Sequence, residues 1–286
     1  GGPGAADGAQ QETRPAPAAE FDLPPIRTAP DQLMLRIAEY AVAGFDVTRE
    51  IPFRIHLFRE NRSEHVLLLV AHHIAADGWS FGPLAADVMA AYASRVDGLA
   101  PSWEPLPVQY ADYSVWQREL LGAEDDPDSL SAKQIERWRA ALDGAPEALD
   151  LPTDHPRPAV ASHRGERVDF EIDAGTHRGL VERAQKSGTT LFMVVHAAFA
   201  TLLHRLSGST DIVIGTPVAG RGDEGLDPLV GMFVNTLVLR THVDGSSTFT
   251  ELLAQVRDTD LGAFTHADVP FERVVESLRP SRSTEY

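Results

Sequence analysis

One stretch of the chain joins its clearest strand pattern to its most reactive side chains. Residues 66–70 are five consecutive aliphatic residues, and His72 and His73 follow almost at once. An apolar run bounded by polar residues predicts a buried strand, and the apolar spacing of residues 81–94 predicts a helix after it. The histidines are therefore expected in a strand-to-helix loop. Because side chains alternate along a strand, they should point in opposite directions, so that only one faces a given cleft.

Composition and charge restrict the class of protein. A chain of 286 residues with 43% hydrophobic residues can bury a substantial core in one large or two ordinary domains. Its net charge of -17 argues against nucleic acid or an anionic membrane as the main partner. With no cysteine, it has no disulfide, no thiolate zinc site and no cysteine nucleophile. No apolar run reaches the roughly 18 residues that span a bilayer, so we expect a cytoplasmic protein.

Hydrophobic periodicity predicts a mixed α/β chain without repeats. No structure is expected for residues 1–25, which are rich in Gly, Ala and Pro. Strands are predicted at residues 53–58 and 66–70 as an antiparallel hairpin, and at 168–172, 212–215 and 233–243. Helices are predicted at residues 31–42, 81–94, 108–121, 131–142, 174–186, 190–206, 249–264 and 271–278. In the third helix, Tyr113 and Trp116 are spaced as a core pair.

A proline-rich connector marks the predicted domain boundary. Residues 151–158 read Leu-Pro-Thr-Asp-His-Pro-Arg-Pro and show no periodic pattern. We expect the chain to cross there from a first lobe, residues 1–158, into a second, residues 159–286.

The residues alone leave four interpretations of the histidine loop open. A metal site is disfavoured, because adjacent histidines point apart and no third ligand lies at a suitable spacing. A serine hydrolase would use Ser80, since residues 78–82 match the pattern G-x-S-x-G; however, Ser80 lies well beyond the strand and is predicted to cap the next helix. A histidine, whose side chain titrates at about pH 6.5, could instead act as a general base or position a reacting amine, with Asp77 holding the loop and Gly78 admitting substrate. Finally, both histidines could simply end the strand.

Four motifs in one order resemble those of a known family. Residues 72–78, His-His-Ile-Ala-Ala-Asp-Gly, resemble the HHxxxDG signature of condensation domains of nonribosomal peptide synthetases. Residues 110–116 resemble the family's YxDYxxW motif, residues 230–240 its VGxFVNTxxxR motif and residues 266–272 its HxDxPFE motif. Two earlier motifs, similar to S-x-A-Q and R-H-E-x-L-R, are absent, and the last motif is interrupted within residues 279–286. The sequence is therefore interpreted as a condensation domain lacking its first part and its end.

The resemblance implies a chloramphenicol acetyltransferase-like fold with a substrate tunnel between two lobes, of which the first, residues 1–158, is incomplete. It implies amide bond formation between a donor acyl or peptidyl thioester and the α-amine of an acceptor aminoacyl thioester. Both substrates would ride on the 4'-phosphopantetheine arms of an upstream donor and a downstream acceptor carrier domain, beside an adenylation domain. The domain itself would bind no cofactor or metal, and neither nucleic acid nor membrane would be a partner.

The resemblance also assigns residues. His73 carries over as the catalytic residue, with His72, Asp77 and Gly78 as supporting residues. The partner of Asp77 would be an arginine, either Arg240 or one in the absent segment. Substrate-binding residues are not assigned. The alternatives are an epimerising relative, whose glutamate motif is not found; a noncatalytic recruiting relative, in which the first histidine is replaced; and a serine hydrolase using residue 80.

Overall fold

The structure, a computed structural model, describes residues 11–13, 21–156, 158, 160, 162 and 165–278. The chain divides into two compact units, one of Gly1–Gln117 with Arg221–Phe233 and one of Arg118–Gly220 with Val234–Tyr286. Residue 158 lies inside the second unit, and the predicted division into lobes at that residue stays a prediction. Most of residues 1–25, for which we expected no structure, and all of the interrupted motif at residues 279–286 lie outside the described residues.

The first unit contains a three-stranded sheet. Its strands are β1 (Ile26–Arg27), β2 (Phe53–Arg59) and β3 (His65–Ala71), with β1 parallel and β3 antiparallel to β2. Its helices are α1 (Leu33–Ala41), α2 (Phe81–Val96) and the larger part of α3 (Tyr110–Leu121). The side chain of Asn61 shapes the turn between β2 and β3 by accepting hydrogen bonds from the backbone N–H groups of Ser63 and Glu64. The predicted hairpin is confirmed.

The second unit packs five helices with a two-stranded antiparallel sheet. The elements are α4 (Leu130–Leu142), α5 (Ala174–Lys186), α6 (Leu191–Ser207), β4 (Asp211–Val218), β5 (Asn235–His242), α7 (Phe249–Phe264) and α8 (Phe271–Leu278). A capping box at Thr248 and Glu251 begins α7, and Gly208, with φ of 72°, ends α6. Because local signals of this kind mark helix ends, the predicted helices agree with the observed ones to within two residues at each end.

The core of the second unit lies between α6, α7 and the sheet. Val194 of α6, Ile212 of β4 and Leu253 of α7 are almost completely buried in one cluster. Burying an aliphatic side chain of this size stabilises a fold by about 1.5–3 kcal/mol, so this cluster holds the unit together. Within it, the His196 Nδ1 atom lies 2.8 Å from Asp260 Oδ1, a buried polar contact that joins α6 to α7.

Two predicted features are wrong. Residues 168–172 form no strand, and Val168 and Phe170 are 83% and 85% exposed. A strand requires a hydrogen-bonding neighbour, and no segment among the described residues pairs with this one. Trp116 contacts Tyr113 as expected, but only Tyr113 is buried, because Trp116 lies on the outer side of α3 with 53% of its surface exposed.

Among the residues that the structure describes, no single helix has both the length and the apolar character to cross a membrane. Helices α5 and α6 meet that standard only when taken together, and the chain bends by 106° between them.

Candidate active site

The two histidines lie in a tight turn directly after β3. The carbonyl of His72 accepts a hydrogen bond from the backbone N–H of Ala75 at 2.9 Å, and its ring Nδ1 accepts one from the N–H of Ile74 at 3.0 Å. The ring proton of a neutral His72 must then lie on Nε2. His73 is exposed, and its side chain makes no hydrogen bond to any described residue. His72 is thus bound into the turn, whereas His73 is free to meet a substrate.

Asp77 anchors the far end of this loop in the interior. Its side chain is fully buried and accepts hydrogen bonds from the Ser80 hydroxyl at 2.7 Å, the Ser80 N–H at 2.9 Å and the Phe233 N–H at 3.1 Å. Its own backbone N–H donates to the carbonyl of Gly231 at 3.1 Å. A buried carboxylate is tolerated when it is paired and hydrogen-bonded in this way.

Arg221 is the ion-pair partner of Asp77. One guanidinium nitrogen lies 3.3 Å from Asp77 Oδ1 and 3.1 Å from the Ser80 hydroxyl, and the side chain of Arg221 is only 2% exposed. The other terminal nitrogen donates to the carbonyls of Leu226 and Leu229. The guanidinium carbon lies 4.0 Å from the centre of the Phe233 ring, a cation–π geometry.

The electrostatics keep Asp77 ionised. Burial raises the pKa of Asp77, but the hydrogen bonds from the Ser80 hydroxyl and from the N–H groups of Phe233 and Ser80, followed by the charge of Arg221, outweigh burial and hold the pKa below its ordinary value. Asp77 therefore forms a charged, fully bonded anchor at neutral pH.

The prediction that Arg240 pairs with Asp77 is wrong. Arg240 belongs to β5, where it binds Asp211 of β4 at 2.8 Å and donates to the carbonyls of Ala141 and Asp143. Hydrogen bonds from Arg240 lower the pKa of Asp211 despite burial. The guanidinium is occupied by these groups, so Arg221, which was not singled out in the sequence, pairs with Asp77 instead.

Ser80 forms part of the anchor. It stands at the residue before α2, as predicted, but its side chain makes no capping hydrogen bond. Its buried hydroxyl lies within hydrogen-bond distance of Asp77, the Gly231 carbonyl and the Gly231 N–H instead. No histidine contacts this hydroxyl among the described residues, and a serine nucleophile needs both a base and exposure.

Gly231 lets the anchor form. A Cβ atom at this position would overlap two ring carbons of Tyr110. The Tyr110 ring is held in place because its hydroxyl donates to the Met232 carbonyl at 2.8 Å. Burial, followed by the negative charge of Asp77, raises the pKa of Tyr110, so this donor keeps its proton. Only glycine allows the backbone at residue 231 to meet both Tyr110 and the loop.

Gly78, by contrast, has no structural need to be glycine in the described part of the chain. A Cβ atom there would meet nothing within 4 Å, and its φ lies outside the left-handed region. Its predicted role of leaving room for substrate stays a prediction.

Parts of two motifs, residues 230–240 and 266–272, contact each other in the second unit. Asn235, at the start of β5, donates to the carbonyls of Ala267 and Val269 and accepts from the N–H of Phe271. Gln134 of α4 accepts from the N–H of Val269. These contacts fix residues 266–272 from two sides, so Asn235 and Gln134 bind backbone rather than face a substrate.

Sequence reasoning missed Arg221 and Gly231, and the available signals were weak. Arg221 stands between two glycines in the segment that joins the predicted strands at residues 212–215 and 233–243, where a charged residue would ordinarily be taken as solvated. Gly231 belongs to a motif, but its tight contact with Tyr110 joins residues that are 121 positions apart.

Comparison of the sequence with known proteins identifies its family. The family model for the condensation domain matches residues 11–286. The chain belongs to the condensation-domain family. The condensation-domain sequence is 54% identical over 266 residues to a probable non-canonical nonribosomal peptide synthetase, CymA, of Salinispora arenicola, a match that covers 93% of this chain and 3% of that protein. It is 50% identical over 255 residues to a dimodular nonribosomal peptide synthase of Bacillus subtilis, covering 89% of this chain and 11% of that protein.

A solved structure supports the fold. The complex of the X-domain and OxyB from teicoplanin biosynthesis matches this condensation domain with a TM-score of 0.88 and 38% identity, over 93% of this chain and 59% of that one. The predicted family and the mixed α/β, chloramphenicol acetyltransferase-like fold class are confirmed. The chain spans a small fraction of the synthetases and about three fifths of the X-domain chain, so the activity and partners of those larger proteins are matters for proposal.

Proposed function

We propose that this condensation domain forms an amide bond between a donor acyl or peptidyl thioester and the α-amine of an acceptor aminoacyl thioester. His73 would accept or position the proton of the attacking amine, while the new C–N bond forms and the C–S bond of the donor thioester breaks. The departing thiolate would take up the proton that the amine loses, either directly or from His73, so that the products are the amide, the free thiol and neutral His73. Donor and acceptor would be presented on the 4'-phosphopantetheine arms of carrier domains, next to an adenylation domain.

The main support for this proposal is the position of His73, which is both accessible and held in place. His73 is exposed and unbonded, yet it lies on a loop that is closed on one side by His72 and anchored on the other by the buried Asp77. A general base needs an accessible nitrogen in a fixed place, and such a group contributes about 10²- to 10⁴-fold in rate. No acyl-enzyme is needed, which suits a chain without cysteine.

The experiment uses the full-length protein with donor-loaded and acceptor-loaded carriers. His73→Ala is expected to lower amide formation by about 10²- to 10⁴-fold. His65→Ala is the matched control, because His65 is also exposed and lies at the other end of the same strand. Equal turnover of wild type and His73→Ala would refute the catalytic assignment.

A second candidate is a module that recruits a partner protein without catalysis. The likeness to an X-domain solved together with OxyB favours it. This candidate predicts no amide product from wild type and stable binding of a partner protein that His73→Ala leaves unchanged. An epimerising domain would invert the donor Cα without an amide, and a hydrolase would release free acid without an acceptor and lose that activity in Ser80→Ala.

A further inference from the structure

A stack of three side chains lies behind the exposed histidine in the first unit. The Phe45 ring meets the His72 ring edge-on, with the ring centres 5.9 Å apart and the planes at 86°. The guanidinium carbon of Arg54 lies 3.9 Å from the centre of the Phe45 ring. Edge-to-face ring contacts and cation–π contacts are both attractive, so each member of the stack restrains the next.

Arg54 is itself fixed by the backbone just before Phe45. Its terminal nitrogens donate to the carbonyls of Ala43 at 3.0 Å and Gly44 at 2.6 Å, and one of them also binds Glu50 at 2.9 Å. The planar guanidinium therefore holds the chain that leads into Phe45 while it covers the ring. A lysine has no planar fork with which to make both contacts.

Strand pairing brings this stack to the histidine turn. Arg54 lies opposite Val70 in the antiparallel pair of β2 and β3, and the N–H of His72 donates to the carbonyl of Pro52 at 2.9 Å. The pairing of β2 with β3 fixes the backbone at Arg54 and at His72. The stack can therefore restrain the His72 ring without moving the strand.

The His72 ring closes the turn that carries His73. Its Nδ1 atom accepts from the N–H of Ile74, so the ring bridges over the backbone of the residue between them. If the ring rotates, this hydrogen bond is lost and the backbone at His73 gains freedom. A misplacement of a catalytic group by about 1 Å can cost about 10²-fold in rate.

We propose that Phe45 and Arg54 are positioning residues for His73, acting through the ring of His72. The inference rests on the proposed function, since it assigns these residues a part in placing the reacting histidine. Neither residue touches substrate in this scheme, and Phe45 holds the ring while Arg54 holds Phe45.

The first measurement is independent of the reaction. Full-length protein is treated with diethyl pyrocarbonate, and labelling of each histidine is read by peptide fragmentation. In wild type, His73 should label readily and His72 slowly. Phe45→Leu and Arg54→Gln should raise His72 labelling toward that of His73, whereas Phe45→Tyr, which keeps the ring, should not.

The second measurement is amide formation at saturating and limiting acceptor carrier. Phe45→Leu and Arg54→Gln should lower kcat by about 5- to 30-fold with KM changed by less than about twofold, the size expected when one such contact is lost. Phe45→Tyr should retain most of the wild-type kcat. Arg36→Gln is the matched control, because Arg36 also pairs with a glutamate in the first unit but has no contact with the stack.

The proposal is overturned if His72 labelling is unchanged in both variants, if labelling rises while kcat stays at the wild-type value, or if Arg36→Gln has the same effect. If wild type itself makes no amide, the proposed function fails. In that case, unchanged His72 labelling in Phe45→Leu and Arg54→Gln also refutes the claim that these residues restrain the His72 ring. Raised labelling in these variants supports that claim.

Discussion

The pair formed by Asp77 and Arg221 gives the most quantitative test of the structure. In Asp77→Asn, the amide oxygen should take the place of Oδ1, which receives the two hydrogen bonds from Ser80 and that from Arg221. The amide nitrogen then faces the N–H of Phe233, donor against donor, where the carboxylate accepted at 3.1 Å. An unpaired buried N–H costs about 1–3 kcal/mol.

The lost charge adds to this cost. Removing one partner of a buried ion pair destabilises a protein by about 3–5 kcal/mol when nothing replaces it. Arg221 keeps its hydrogen bonds to the carbonyls of Leu226 and Leu229, and the asparagine oxygen still accepts from it. The lower end of that range, about 3 kcal/mol, therefore applies, and together with the unpaired N–H we expect Asp77→Asn to cost about 4–6 kcal/mol in total.

A double-mutant cycle separates the pair from its surroundings. Arg221→Met removes the opposite charge, and the double variant should be less destabilised than the sum of the single variants by about 1–3 kcal/mol. The chain has two compact units, so a single unfolding curve can mix two transitions. Hydrogen exchange of peptides spanning residues 72–80 and 221–233 reports the local free energy of opening directly.

Asp211→Asn is the matched control, because Asp211 also pairs with an arginine but lies in the second unit. It should leave exchange in residues 72–80 unchanged. A loss below about 1 kcal/mol in Asp77→Asn, or strict additivity in the double variant, would show that the buried pair does not anchor the loop.

Three further predictions concern the pH dependence of Asp77, the space at Gly231 and the hydrogen bonds of Asn235. Because its pKa is lowered on folding, Asp77 stabilises the fold above about pH 4, and this contribution is lost as the pH falls further; Asp77→Asn should therefore show a shallower decline in exchange protection of residues 72–80 below pH 4 than wild type. Gly231→Ala should cost about 1–3 kcal/mol through its clash with Tyr110, whereas Gly222→Ala, which meets nothing within 4 Å, should change the melting temperature little. Asn235→Ala should cost about 2–4 kcal/mol, because it leaves several backbone groups unpaired, and faster exchange in residues 266–272 should report it.

The elements that were predicted correctly are those with local causes. The hairpin of β2 and β3 follows from apolar runs on either side of a polar turn, and α7 follows from a capping box within its first turn. Residues 168–172 show the limit of this reasoning. Their alternation fits a strand, but a strand also needs a neighbour, which the local sequence does not specify.

The site divides in the same way. The loop, its exposed histidine and its buried acid could be placed from the apolar run and the motif. The partner of the acid could not, because Arg221 is 144 residues away and nothing in its own neighbourhood marks it as buried. The candidate Arg240 had an equally plausible place in the sequence, and the packing of β4 against β5 gave it Asp211 instead.

The spacing within residues 72–78 has a physical reason. The chain leaves β3, turns at the surface, where Ile74 is 59% exposed, and returns to the interior by Ala76 and Asp77, which are 6% and 1% exposed. His72 must stand at the first corner to close the turn, and the acid must stand where the chain re-enters the core. His73 lies between these two anchors and is bonded to neither. Substitutions at His72 and Asp77 should therefore change the stability of the loop, whereas substitution of His73 should change the chemistry and leave the loop intact.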